Sequence, residues 1–166
     1  MAMKTFNVGD ILAAADVNEY LVNTHFAFKN SNTTRTSAPN ATNDPDLNIA
    51  VDANKIYMLY CYLAYNSGAT PGFQNAFSVP SGTTLGGVYF GPSTTSVMSA
   101  PGNLVLLSGI SAAWPGGTND LGVICEGIVN TGSTAGNIIV QWGQQTSSAT
   151  NTTLKTGSCL FLRRVS

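Results

Sequence analysis

The sequence predicts a single all-β domain, built as a β-sandwich, behind a short N-terminal helical arm. Its 166 residues suit one hydrophobic core. Apolar residues make up 43% of the chain and charged residues only 9%, which excludes disorder driven by high charge and low hydrophobicity. From residue 47 onward, short apolar stretches alternate with Gly-, Pro- and Asn-rich turns and show no helical period, as in sandwiches and small barrels.

The arm is expected at residues 1–30, where apolar residues recur at helical spacing. Five residues share one face of this helix, at steps of three, four and seven: Val17, Tyr20, Leu21, Thr24 and Phe28. An isolated helix of this length is only marginally stable in water. We therefore expect this anchoring face to pack against the β domain, against other copies of the chain or against another protein.

A linker is expected at residues 31–46, which are polar, carry two prolines and have no period. The β domain follows at residues 47–166. About eight strands are expected there, in a jelly-roll-like topology. The nine candidate segments are 47–51, 55–65, 73–79, 85–91, 95–100, 104–110, 121–130, 137–144 and 158–165, of which 85–91 and 95–100 are the shorter candidates.

Catalytic chemistry is not indicated by the residues available for it. His25 is the single histidine and lies in the predicted helix, remote in sequence from any nucleophile. Asp120 and Glu126 form no pair suited to glycoside hydrolysis, and no His or Cys spacing matches a zinc site. Asp44 and Asp46 are typical of a turn rather than of a calcium loop. The sequence therefore predicts a protein that is not an enzyme and has no catalytic residues, metal or cofactor.

Charge and apolar runs limit the partners and the location. The net charge is −1 and the basic residues are scattered, so we expect no nucleic-acid binding. No apolar run is long enough to span a membrane, and the start of the chain lacks the pattern of a signal peptide. Cys61, Cys125 and Cys159 lie far apart in apolar stretches, which predicts buried free thiols.

The two tryptophans are the remaining candidates for ligand contact. Trp114, in the segment AAWPGG, is expected in an exposed loop, where it could stack on a sugar ring or anchor a partner. Trp142 falls in a predicted strand and is expected in the core or at a subunit interface. Trp114 is therefore the candidate ligand-contact residue.

Three segments carry a resemblance to known proteins. The first is the opening FNVGDILAAADVNEYL, which resembles the start of bacteriophage minor tail and tail-fibre proteins. The second is the closing GNIIVQWGQQTSSATNTTLKTGSCLFLRRV, which resembles the end of small structural proteins from phages of actinobacteria. The third is LNIAVDANKIYMLYCYLAYNSGA, which resembles the matching early strands. Together they cover a little under half of the chain, and residues 71–117 carry no resemblance.

The resemblance implies a virion component that is a homotrimer, with a β-sandwich head and an N-terminal attachment segment. Its partners would be its own copies and other tail or capsid proteins, in a minor tail, tail-fibre or capsid-decoration role. One alternative is a receptor-binding module for host-surface glycans, using Trp114 and the polar loops at 67–73 and 144–153. A third reading, an enzyme such as a depolymerase, would need Glu126 or Asp120 to carry activity.

Overall fold

The computed structural model of the chain describes residues 7–11, 13–14, 23–94, 97–99, 105–106 and 112–165. Within these ranges the secondary structure is almost entirely β, in thirteen strands. In chain order they are β1 (Thr24–Phe28), β2 (Thr33–Arg35), β3 (Thr42–Val51), β4 (Ile56–Ser67), β5 (Phe73–Ser78), β6 (Thr84–Thr94), β7 (Val97–Ser99), β8 (Val105–Leu106), β9 (Ala112–Trp114), β10 (Gly117–Asn130), β11 (Gly136–Gly143), β12 (Thr152–Leu154) and β13 (Cys159–Arg164).

The strands form two sheets. The larger sheet has the order β1-β13-β4-β10-β6-β7, with β12 and β2 continuing from β4 and with β8 beside β6. The smaller sheet has the order β3-β11-β5-β9. The described neighbours within both sheets run antiparallel. The all-β sandwich expected from the sequence is confirmed, whereas its jelly-roll connectivity stays a prediction.

The core lies between the two sheets and is set by alternation along the strands. In β4 every second residue is buried, in the series Tyr57, Leu59, Cys61, Leu63 and Tyr65. Successive side chains of a strand point to opposite faces, so this series fills the space between the sheets. Aromatic pairs then join the two layers, with Tyr65 stacked on Phe73 at a centroid distance of 4.3 Å.

The helix expected in the arm does not extend to residues 24–28, which form β1. This strand pairs with β13 over its whole length, and Ala27 is buried against the sheet. The expectation is wrong there because pairing with β13 gives the backbone groups of this aromatic-rich segment partners that a solvent-exposed helix end lacks. Thr24 and Phe28 are thus strand residues. Val17, Tyr20 and Leu21 lie outside the described residues.

The segment expected as a linker also contains strands. β2 pairs with β12, and β3 begins at Thr42, five residues before the expected start of the β domain. Polar side chains dominate both segments, so neither shows the apolar alternation on which strand prediction depends. Sheet pairing in the described chain therefore begins at Thr24 and not at Leu47.

Candidate self-association surface

The outer face of the larger sheet combines residues from five neighbouring strands. Residues directly opposite each other in an antiparallel pair have their side chains on the same face. The register therefore gives three rows, each crossing β1, β13, β4, β10 and β6 in that order. The rows are Phe28, Cys159, Tyr62, Ile124, Phe90; then Phe26, Phe161, Tyr60, Glu126, Val88; then Thr24, Arg163, Met58, Ile128, Gly86. We call this surface the outer face.

Much of the outer face is apolar and accessible to solvent. The large exposed side chains, with their exposed fractions, are Phe26 (60%), Met58 (51%), Ile128 (49%), Phe28 (42%) and Tyr60 (38%). Single exposed apolar residues are common on soluble proteins, whereas a contiguous group marks a contact surface. The rings of Phe26 and Phe28 also stack on each other, with centroids 6.1 Å apart.

Two charged residues, Glu126 on β10 and Arg163 on β13, lie in these rows. They are separated by the intervening strand β4, and therefore by about 10 Å of sheet. Both are exposed. In the described part of the chain neither takes part in an ion pair. The outer face thus carries one acid and one base on an apolar background.

A shallow cavity of about 320 Å³ lies between these two charges. Its lining comes from β4, β10 and β13: Met58, Leu59, Tyr60, Glu126, Gly127, Phe161 and Arg163. Beside it, the backbones of β10 and β6 lie close together: a methyl group added at Gly127 would lie 2.6 Å from the Gly86 carbonyl oxygen. The lining is mainly apolar, with the acid and the base as its charged groups.

The three cysteines are distributed over both sides of the larger sheet. Cys61 and Cys125 face each other across β4 and β10 on the buried side, and burial raises the pKa of both thiols. Cys159 lies on the outer face between Phe28 and Tyr62 and is only half-buried. The expected burial of the thiols is therefore confirmed for Cys61 and Cys125 and holds partly for Cys159.

A second polar cluster lies on the buried side, where the segment after β1 meets β3. The Lys29 side chain is fully buried, and its Nζ donates to Asp44 Oδ2 at 2.9 Å and to Asp46 Oδ2 at 2.8 Å. Trp142 Nε1 donates to Asp44 Oδ2 at 2.9 Å, and the Leu47 amide donates to Asp44 Oδ1 at 3.1 Å. Asp44 and Asp46 therefore bind an internal lysine.

The environment of Asp44 holds its carboxyl group in the charged form. Burial alone would raise its pKa, but the hydrogen bonds from Lys29 and Trp142 and the charge of Lys29 outweigh that effect and lower the pKa below its usual value. Arg35 extends the cluster, with its guanidinium carbon 3.9 Å from the centroid of the Trp142 ring and its Nη2 donating to the Asn43 carbonyl at 3.0 Å. An ionised, fully partnered carboxylate of this kind serves structure rather than acid–base chemistry.

Trp114 is not an exposed loop residue, which corrects the expectation from sequence. It lies in β9 with only 8% of its surface exposed, and its Nε1 donates to Asn75 Oδ1 at 2.7 Å. Its ring packs edge to face on Tyr89, with centroids 5.9 Å apart. Pairing of β9 with β5 brings this ring into the core, where its apolar area is buried and its N–H has a partner. The geometry does not favour Trp114 as a ligand contact.

The remaining predicted residues divide between the outer face and other places. Thr24 and Phe28 lie on the outer face, and Glu126 points outward from the middle of its strand. Asp120 instead pairs with Lys155 at 3.2 Å. His25 is exposed on β1, with its ring centroid 6.1 Å from that of Tyr57.

Sequence reasoning missed Phe26, Met58, Tyr60 and Ile128 as surface residues. For Met58 and Tyr60 the signal was present in the segment IYMLYCYLAY, which is apolar at odd and even positions alike. An unbroken apolar run is the pattern of a strand covered on both faces. In the structure the smaller sheet covers one face of β4, and the other face is the exposed one.

Two kinds of site are absent from the part of the chain that the structure describes. No group of three or more His, Cys, Asp or Glu side chains lies close enough to hold a metal ion. Among the same residues, no helix has the length and apolar character needed to cross a membrane.

Comparison with known proteins gives distant likenesses. No protein-family model matches the sequence, and no curated protein matches it. Among solved structures, the tripod from the baseplate of bacteriophage Tuc2009 is similar over 98% of this chain and 74% of that chain, at 9% identity and a TM-score of 0.37. The Gt strain of infectious bursal disease virus is similar over 85% of this chain and 40% of that one, at 15% identity and a TM-score of 0.21. Likenesses at these scores carry no argument about what the chain does.

Proposed function

We propose that this chain is a non-enzymatic structural protein of a virus particle, which associates with its own copies through the outer face. The observation that carries this proposal is the contiguous apolar surface on the larger sheet, with Phe26, Phe28, Met58, Tyr60 and Ile128 exposed. Covering that surface removes apolar area from water, at about 25 cal/mol per Å². In a chain with few charges, burial of such a face favours stable association between copies.

Composition and sequence support the virion role. Three segments resemble phage structural proteins, and the uncharged Thr-, Asn- and Gly-rich surface suits a permanently assembled protein. The resemblance includes the N-terminal segment, so attachment to the tail or capsid is assigned to the arm. A homotrimer is the assembly that the resemblance implies, and β1 places the start of the described β-structure at the edge of the outer face.

Solution mass tests self-association directly. Light scattering coupled to size exclusion should give three times the 17.3 kDa chain mass. The variant Ile128→Lys places a charge in the apolar rows and should give monomers. Its control is Ala50→Lys, which adds the same charge at an exposed position on β3 in the smaller sheet, and it should keep the mass of the unmodified protein. A monomeric unmodified protein at micromolar concentration would refute the proposal.

The Cys159 thiol shows which face is covered. In the assembled protein it should react slowly with a thiol reagent, and in Ile128→Lys it should react readily because the outer face is open. Cys61 and Cys125 should stay unreactive in both proteins until unfolding, because they are buried and their thiol pKa values are raised. Equal Cys159 reactivity in the two proteins would place the contact elsewhere. Detection of the chain in purified particles of the virus that encodes it tests the virion role.

A further inference from the structure

We infer that a second copy binds the outer face in one register, fixed by a salt bridge between Glu126 of one copy and Arg163 of the next. This inference rests on the proposed function, and it names the partner and the residues that orient it. The bridge would form over the cavity between Met58, Tyr60 and Phe161, with the surrounding apolar side chains excluding water.

The first argument is the distribution of charge in the described chain. Most other charged groups near the sheets already have partners within one copy: Lys29 with Asp44 and Asp46, Lys155 with Asp120, and Arg164 with Asp52. Glu126 and Arg163 are the acid and the base that stand in the apolar rows without an ion pair. Covering them with an apolar partner would strand two charges away from water, which is strongly unfavourable.

The second argument is geometry within one copy. Glu126 lies opposite Tyr60, and Arg163 lies opposite Met58, so the two charges are on different rows and on opposite sides of β4. The side chains of Tyr60 and Met58 stand between them. Within one copy of the described structure the two side chains form no ion pair.

The third argument is self-complementarity. On a surface with one acid and one base, separated by an apolar strip, the acid of each copy can meet the base of the next copy around a closed ring without any further charged partner. Arg163 of a neighbour that enters the cavity would meet Glu126 in the lining, which also includes the aromatic residues Tyr60 and Phe161. Arginine suits such a place because its planar group can stack on rings while it bonds a carboxylate. The partner that these features fit is another copy of the same chain.

Charge exchange tests this register. The single variants E126R and R163E each place like charges together across the interface, and each should weaken association at least about tenfold. The double variant E126R/R163E restores opposite charges with their positions exchanged, and it should return association to within about threefold of the unmodified protein. Light scattering over a concentration series measures all four proteins.

Controls separate this inference from the proposed function. The exchange D120R/K155E reverses a pair that closes within one copy, and it should leave association unchanged. If circular dichroism shows that a charge-reversal variant does not fold, E126Q and R163Q are used instead. Each should weaken association, and the double variant E126Q/R163Q should weaken it by less than the sum of the two single effects. The inference is overturned if the double variant associates no more strongly than the weaker of the two single variants, or if the single variants associate normally. Either result would count even if the unmodified protein is oligomeric. A monomeric unmodified protein would instead overturn the proposed function.

Discussion

At the scale of single residues, Asp44 is the most heavily bonded polar group of the buried cluster. It accepts hydrogen bonds from the Lys29 amine, the Trp142 indole and the backbone amides of Asp46 and Leu47. Lys29 follows β1 and Asp44 lies in β3, so this one carboxylate joins the edge of the larger sheet to the smaller sheet. This contact therefore helps to hold β1 in place against β3.

Removing the charge of Asp44 should therefore destabilise the fold strongly. We expect Asp44→Asn to lower the free energy of unfolding by about 1.5–3 kcal/mol, because the buried Lys29 ammonium then keeps only the partly exposed Asp46 carboxylate as a counter-charge. The matched control is Asp46→Asn, which alters the other carboxylate on the same amine, but one whose side chain is 40% exposed. Urea denaturation of the three proteins checks this, and equal losses for the two variants would show that burial is not the cause.

The effect of Asp44 should also depend on pH. Its pKa in the folded protein lies below that of the unfolded chain, so its stabilising contribution is present in full above the unfolded value of about 3.9 and is lost as the pH falls through the folded value. The stability gap between the unmodified protein and Asp44→Asn should be constant near neutral pH and should shrink only below about pH 4. A gap that already narrows between pH 8 and pH 6 would contradict this assignment.

Sequence reasoning did poorly at this scale, for a physical reason. The sequence places Lys29 in the helical arm expected at residues 1–30 and Asp44 in a turn, because each side chain is judged by its neighbours along the chain. Their contact joins residues fifteen positions apart through the packing of two sheets. Trp114 was misjudged in the same way, since the glycines and proline around it concealed the pairing of its strand with β5.

At the scale of elements, the approach of β6 to β9 depends on the absence of a side chain. A methyl group added at Gly91 would lie 2.5 Å from the Trp114 ring, well inside normal contact. The indole can therefore lie against the backbone of β6 only because residue 91 is glycine. This contact lets a wide aromatic ring close the core at that end of the sandwich.

Gly91→Ala should destabilise the protein by about 1–3 kcal/mol through overpacking against Trp114. The control is Gly86→Ala in the same strand, where an added methyl group meets nothing within 4 Å, and it should change stability by less than about 1 kcal/mol. Because Gly86 lies on the outer face, both variants are compared in the Ile128→Lys protein, in which that face is uncovered. Thermal unfolding of both variants measures the difference. Similar stabilities would mean that the Trp114 ring moves aside without cost.

Strands with a continuous apolar face were predictable from sequence, and the mostly polar strands were not. β4, β5, β11 and β13 fall within a residue or two of the expected segments because each has a buried face of apolar residues. β2 and β12 are three residues each and consist mostly of threonine and other polar residues, and Thr34 and Thr153 bond through their hydroxyl groups at 2.9 Å. Such strands form because a neighbouring strand, distant in sequence, has unpaired backbone groups for them to bond. The local sequence pattern does not indicate this pairing.

At the scale of the whole molecule, the proposed trimer makes a distinctive prediction for mixed variants. E126R chains carry only positive charge at the two contact positions, and R163E chains carry only negative charge. In a ring each copy contacts the next, so favourable contacts require the two variants to alternate. Three copies cannot alternate around a ring, and one like-charge contact always remains. An equimolar mixture should therefore fail to recover the trimer mass.

Two copies related by a two-fold axis would behave differently. There a mixture of E126R and R163E chains would satisfy both contacts of a mixed pair, and native mass spectrometry would find recovered dimers. That result would contradict three-fold closure. The mixed sample thus distinguishes a three-fold ring from a two-fold dimer by the mass that is recovered. It uses the same variants that test the salt bridge.

The fold class was predictable from sequence at this scale, whereas the outer face was not. Turn spacing and apolar content indicate a sandwich, since any such chain needs two layers to bury its strands. Which residues lie beside those of β4 on the open face depends on the order of strands in the larger sheet, and that order places β1 and β13 on one side of β4. Only the assembled sheet shows that Phe26, Tyr60 and Ile128 share one exposed face.

The position of β1 also has a mechanical consequence. If the arm tethers the chain to a particle, a pull on it enters the domain at Thr24 and runs along β1. Drawn lengthwise past β13, the strand resists through all five of its residue pairs together, as in shear, rather than one pair at a time. Lys29 follows β1 directly, and its buried ion pairs with Asp44 and Asp46 also hold the strand in place. The point of tethering therefore lies next to a strongly bonded part of the molecule.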